Sequence, residues 1–241
     1  MVLQKTAVVV GIGPGAGSSI ARRFAHEGYK VALVSRREES LQPVAKEIES
    51  LGGQALSVPA DTGDAASVRQ AFQTIVAKLG APEVLVYNAG PGMKWPPPGI
   101  LDLDPAVFSH AFDAGVTGAL VWAQQALPAM VEAGRGTILF TGATAGMRGG
   151  PKFALLACPK FALRALSQSI AREFQPQGIH VAHIIIDGII EAPRTKGMVP
   201  DRDQSSFMSP DAIAETYWQL HKQDKSAWTQ EMDLRPFVEK F

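Results

Sequence analysis

Residues 6–17 read Thr6-Ala7-Val8-Val9-Val10-Gly11-Ile12-Gly13-Pro14-Gly15-Ala16-Gly17, and the rest of the chain is understood outward from them. The run from Thr6 to Val10 has the continuous apolar pattern of a strand buried on both faces. Four glycines close it. Over residues 18–28 the pattern turns helical, with Ile20 and Phe24 one turn apart and Gly28 as the stop. Backbone without Cβ atoms can approach a pyrophosphate closely, and a helix N-terminus presents free N–H groups and partial positive charge to it. A glycine cluster at the first strand-to-helix junction is the context a dinucleotide site requires, which makes Gly11, Gly13, Gly15 and Gly17 candidates. The alternative is a tight turn that needs glycine only for its backbone angles. Gly11, Gly15 and Gly17 fit G-x-x-x-G-x-G, and Gly13 keeps G-x-G-x-x-G open.

The same alternation continues along the chain. Residues 31–34, 54–58, 84–87, 137–141, 179–186 and 228–234 are strand-like. Residues 40–51, 67–79, 105–131, 153–174 and 210–220 carry apolar side chains at helical spacing. Six or seven strands separated by helices require parallel crossovers, hence an α/β fold with a doubly wound sheet covered on both faces. No composition break marks a linker, so residues 1–241 are expected to form a single domain.

Composition narrows the function. The 241 residues are 46% apolar, which argues against disorder, and the 23 basic side chains are matched by 23 acidic ones. Zero net charge removes the electrostatic case for nucleic acid or an anionic membrane as partner. One cysteine, Cys158, excludes an internal disulfide and gives no zinc cluster; it is expected to be a packed thiol. The start, residues 1–10, lacks a signal-peptide pattern, and no run of eighteen apolar residues occurs. A soluble, cytoplasmic protein with a small-molecule partner is the expectation.

Asn88-Ala89-Gly90 after the fourth strand, Asp61 after the third, Lys160 in the apolar helix and Asp187-Gly188 after the sixth strand join the glycine turn in order. With these residues the chain resembles the short-chain dehydrogenase/reductase family over nearly its whole length. The resemblance implies a Rossmann-type three-layer α/β/α domain, Asp61 on the adenine amino group, Asn88, Ala89 and Gly90 along the adenosine, and Ile190 against the carboxamide. It departs at Val10, where the family has threonine, at Ala192, again a family threonine, and at Asp187, a family proline. A carboxylate ending the second strand would repel a 2′-phosphate; Ser35, Arg36 and Arg37 stand there instead. Guanidinium is the natural phosphate clamp, which favours NADP(H) over NAD(H), unless the arginines only solvate the surface.

Family members transfer hydride between a nicotinamide and a carbonyl or alcohol, with a tyrosine, a lysine, a serine and an asparagine assisting. The lysine matches Lys160, whose remaining role is to hold the nicotinamide ribose; the alternative is a side chain that snorkels to water. The tyrosine position is Leu156, the serine position Ala143 and the asparagine position Gly115. None of the three can donate or accept a proton through its side chain. Two readings stay open: an oxidoreductase with another proton donor, and a weak or inactive cofactor-binding pseudoenzyme acting as sensor or assembly partner. Thr141 and Thr144 flank the serine position, and either hydroxyl could reach a substrate oxygen. Pro159 is expected to kink its helix near Leu155 or to delay its start. Residues 91–100, with Met93 and Trp95, form a stiff apolar loop; residues 193–210 resemble the family's lid. Arg148 is available for an acidic ligand or for solvent. The resemblance also implies a homodimer or homotetramer, and the apolar residues 153–170 have hydrophobic surface to spare for one.

Overall fold

The structure, a computed structural model, describes residues 5–92 and 95–239; Met1 to Gln4 of the leader reading and Met93 lie outside the described residues. Thr6–Val10 forms strand β1, buried along its whole length. The chain returns through helix α1 (Ala16–His26) to β2 (Lys30–Ser35) and through α2 (Gln42–Ser50) to β3 (Gln54–Pro59). Helix α3 (Ala65–Leu79) carries it back across to β4 (Val84–Tyr87). Helices α4 (Pro105–Phe112) and α5 (Gly118–Glu132) precede β5 (Gly136–Thr141), and α6 (Ala154–Phe174) precedes β6 (Ile179–Ile186). A two-residue pair, β7 (Ile189–Ile190) with β8 (Phe207–Met208), brackets the short helix α7 (Pro193–Met198). Helix α8 (Pro210–Lys222) and β9 (Glu231–Leu234) complete the fold.

The seven-stranded sheet has the order β3-β2-β1-β4-β5-β6-β9, and every pairing is parallel. Alternation along each strand sends side chains to two cores. Val8, Val10, Leu85 and Ile138 meet Phe72, Trp122 and Leu163 on one face; Val9, Val31 and Leu33 meet Ile20, Phe24, Leu41 and Tyr217 on the other. Each such side chain contributes about 1.5–3 kcal/mol by leaving water. The strand order reverses between β1 and β4, which opens a crevice at the strands' carboxyl ends.

Three local features differ from the sequence expectation. The expected helix over residues 105–131 is divided by a π-helical turn, Asp113–Thr117. Its cause lies outside the helix: the buried Tyr87 hydroxyl donates to the Ala114 carbonyl at 2.5 Å. Helix α6 runs from Ala154 to Phe174 with Pro159 inside it, so the proline does not delay its start. The ring is buried in the second turn against bare Gly115, where a Cβ would stand 2.9 Å from Pro159 Cβ. Cys158 is exposed rather than packed, because Leu155, Pro159 and Leu163 take the inward stripe and leave it on the outer one with Phe161.

Candidate active site

At the crevice the glycine turn is shaped by close approach. Gly11 has φ +100°, and a Cβ there would lie 2.5 Å from the Ala89 nitrogen; a Cβ on Gly17 would lie 2.2 Å from the Gly11 oxygen. Gly15 has φ +138° and caps α1, with Ile190 Cγ2 3.6 Å from where its Cβ would be. A Cβ on Gly13 would meet nothing. The steric requirement therefore falls on Gly11, Gly15 and Gly17, the G-x-x-x-G-x-G spacing.

A hydrogen-bonded chain ties this turn to the neighbouring strand ends. Asn88 Nδ2 donates to the Gly11 oxygen at 2.9 Å, and Thr141 Oγ1 donates to Asn88 Oδ1 at 3.0 Å. With that proton placed, the Tyr217 hydroxyl, 2.8 Å away, is the donor to Thr141 Oγ1. Burial holds both Tyr87 and Tyr217 above the ordinary phenol pKa, so both remain donors. Thr141 is thus a buried strut, and of the two threonines only Thr144 borders open space.

Two cavities open at this edge. The first, about 520 Å³, is bordered by Gly11, Ser35, Arg36, Arg37, Asp61, Asn88, Ala89 and Gly90, with Arg194 also on its wall. Ser35 Oγ donates to the Arg37 carbonyl at 3.0 Å and sets the turn that presents both arginines. Asp61 Oδ1 accepts from the Gly63 N–H at 2.9 Å. The second, about 610 Å³, is mostly apolar and is bordered by Trp95, Ala143, Thr144, Phe153, Leu156, Ile190 and Met198, with Arg148 among its polar residues. Leu156 and Ala143 therefore face one common space.

Lys160, on α6, is buried beside Gly90 and is not among the residues that border either cavity. It is 7% exposed, its Nζ donates to the Thr141 carbonyl at 2.6 Å, and a Cβ on Gly90 would stand 3.6 Å from it. Burial lowers its pKa from 10.5 to about 8. The side chain does not snorkel.

Residues 5–203 match the family model described as short chain dehydrogenase. The chain belongs to the short-chain dehydrogenase family. It is 37% identical to a short-chain dehydrogenase from Rhodopseudomonas palustris, with TM-score 0.82 over 97% of this chain and 99% of that one. A metagenomic short-chain oxidoreductase in complex with NADP is 27% identical, with TM-score 0.83 over 97% and 98% of the two chains. An oxidoreductase from Sarocladium schorii, asL5, is 30% identical over 177 residues, 73% of this chain and 69% of that protein.

Within this member of the family, sequence reasoning singled out the glycines, Ser35, the two arginines, Asp61 and the Asn88 segment; the structure puts Gly11, Ser35, both arginines, Asp61 and Asn88-Ala89-Gly90 on one cavity, and Gly13, Gly15 and Gly17 do not border it. Ile190 lies apart, on the second cavity, above Gly15. What the sequence did not reveal is a polar pair in that cavity: Thr144 Oγ1 donates to Asp187 Oδ1 at 2.5 Å. Asp187 stood out as part of the Asp187-Gly188 match and as a departure from the family's proline, and a separation of 43 positions hides its contact with Thr144. Among the described residues no helix is long and apolar enough to cross a membrane, and no group of His, Cys, Asp or Glu is arranged to hold a metal.

Proposed function

We propose that this short-chain dehydrogenase binds NADP(H) in preference to NAD(H) and acts on a carbonyl or alcohol carried by an apolar substrate. One observation carries the reading: Arg36 and Arg37 border the same cavity as the glycine turn and the Asn88 segment, and β2 ends in Ser35 rather than a carboxylate. The residues fit such a cofactor. Gly11 borders the cavity and Gly13 has open space where a Cβ would stand, the guanidinium groups suit a 2′-phosphate, and Asp61 and the Asn88-Ala89-Gly90 segment line the wall for an adenosine. Lys160 stands next to Gly90 as a buried donor for ribose hydroxyls, and Ile190 is an apolar wall for the nicotinamide side. A bound nicotinamide supplies the hydride chemistry; the chain contributes binding, orientation and exclusion of water.

Titration with NADPH and NADH tests the assignment. Removing two charge-assisted contacts in Arg36→Ala/Arg37→Ala is expected to weaken NADPH by about tenfold or more and to leave NADH unchanged. Equal affinity of the parent chain for both cofactors would overturn the preference.

A second reading has its own support. Leu156 and Ala143 face the second cavity without a hydroxyl between them, which favours slow or absent turnover and a role as cofactor-dependent sensor or assembly partner. Turnover of aldehydes, ketones and alcohols by the parent chain, set against Leu156→Tyr/Ala143→Ser, separates the two. Steady turnover by the parent removes the pseudoenzyme. For assembly as a homodimer or homotetramer, the support is the outer face of α5 and α6, where Phe161 is 42% exposed and Leu120 38%.

A further inference from the structure

A hydroxyl that binds a carbonyl oxygen must point its proton at that oxygen. The second cavity has two hydroxyls among the residues that border it, and neither can do so. Thr144 Oγ1 has only acceptors as partners, Asp187 Oδ1 at 2.5 Å and the Ile186 carbonyl at 3.5 Å. Thr195 Oγ1 is placed likewise, 2.6 Å from the Ile190 carbonyl and 3.0 Å from that of Ala192. Their protons are spent, while their lone pairs remain. Asp187 is 8% exposed and itself only accepts; Arg235 Nη2 lies 3.4 Å from its Oδ2 and is shared with Asp233. Arg148 and Arg202 border the same cavity and weigh against a cationic ligand, which leaves a neutral donor. Around this pair the walls are Trp95, Phe153, Leu156, Ile190, Met198 and Val199. Arg148 supplies a donor, from an exposed position.

We infer that Thr144, backed by Asp187, is a hydrogen-bond-accepting anchor that selects a neutral, hydroxyl-bearing apolar ligand over the corresponding ketone. The inference rests on the proposed function only in taking the second cavity as its substrate side. The polarity of the site is thus the reverse of one that offers two O–H donors to a carbonyl. A hydroxyl ligand gives its proton to Thr144 Oγ1, whose own proton is directed to Asp187, and the ligand's carbon skeleton fills the apolar walls.

A matched pair of probes tests this on the full, cofactor-free chain: 1-(2-naphthyl)ethanol and 2-acetonaphthone, with affinities from equilibrium dialysis. One added hydrogen bond corresponds to about a five- to tenfold preference for the alcohol. Thr144→Val is expected to abolish the preference and keep the ketone affinity, which reports an intact cavity. Asp187→Ala removes the acceptor that holds the Thr144 proton and should raise ketone affinity toward that of the alcohol. Equal or tighter binding of the ketone by the parent chain overturns the inference, as does an alcohol preference that survives Thr144→Val. Because no cofactor is present, these outcomes are independent of the NADPH titration, whose failure would count against the proposed function instead.

Discussion

At the scale of single residues, Lys160 has the most to reveal. An ammonium buried with one carbonyl partner is costly, and that cost appears as a pKa lowered from 10.5 to about 8. Below pH 8 folded and unfolded chains both hold the proton. Between about 8 and 10.5 the folded chain releases it first, so the unfolded state binds more protons and stability to unfolding rises with pH. Urea midpoints measured from pH 8 to about 9.5, below the range in which the phenols of the unfolded chain titrate, should climb in the parent and stay flat in Lys160→Met, which should also be more stable near pH 7 by on the order of 1–3 kcal/mol. Cofactor affinity should move oppositely. A polyanionic cofactor favours the ammonium, so NADPH binding is expected to weaken above pH 8 in the parent, and Lys160→Met should bind more weakly without that inflection. An NADPH affinity unaffected by Lys160→Met would remove the lysine from the site. The residue was legible in the sequence because a lone lysine on an apolar helix needs a reason. Thr144 with Asp187 was not, because nothing local marks two residues in different loops as partners.

At the scale of elements, the contact between the π-helical turn and α6 shows why Gly115 and Pro159 belong together. Gly115 has no side chain, and Pro159 uses that space; a Cβ at 115 would come 2.9 Å from the ring's Cβ and 3.5 Å from Pro91 Cδ. The family's asparagine could not be restored here without moving α6. Gly115→Asn is therefore expected to destabilise the chain by about 1–3 kcal/mol through overpacking. Pro159→Gly should recover part of that loss, since it removes the Cβ that stands in the way and returns an N–H to the Leu155 carbonyl, against the about 1 kcal/mol that glycine costs in a helix. A double-mutant cycle from denaturant unfolding measures the coupling; simple additivity would show that the two helices do not share the space. The same contact shows where sequence reading stops. Strands buried on both faces and helices with one apolar stripe announce themselves through period, and β1, β4 and β6 have the expected bounds. The π turn depends on Tyr87 reaching Ala114 from another element, and β7 with β8 pairs only two residues across the lid-like segment. Neither leaves a periodic trace.

At the scale of the whole molecule, acid should loosen the β6–β9 side of the sheet and the helix above it. Three histidines there are buried, and burial lowers the pKa of each below 6.5. His180 stacks on Trp228 at 4.8 Å and has Nε2 2.8 Å from the Thr229 carbonyl. His183 places Nδ1 3.0 Å from Glu231, which Arg164 holds from α6. His221, at the end of α8, lies 2.7 Å from the Tyr29 hydroxyl and 2.9 Å from Thr137 Oγ1, and its pKa falls to about 4. The sign follows from proton uptake. Above pH 6.5 neither state is protonated at these rings and stability is full; below it the unfolded chain takes protons that the folded chain refuses, so stability falls as pH drops toward 4. For His221 alone the loss at pH 5 is about 2 kcal/mol, and the other two rings add with the same sign. Urea midpoints at pH 7.5 and pH 5 should differ accordingly, and His221→Gln, which keeps hydrogen-bonding groups but does not titrate, should show a smaller difference. Identical acid sensitivity in parent and variant would mean that the His221 ring takes up its proton without leaving its place between Tyr29 and Thr137, and that the acid-labile contact lies elsewhere.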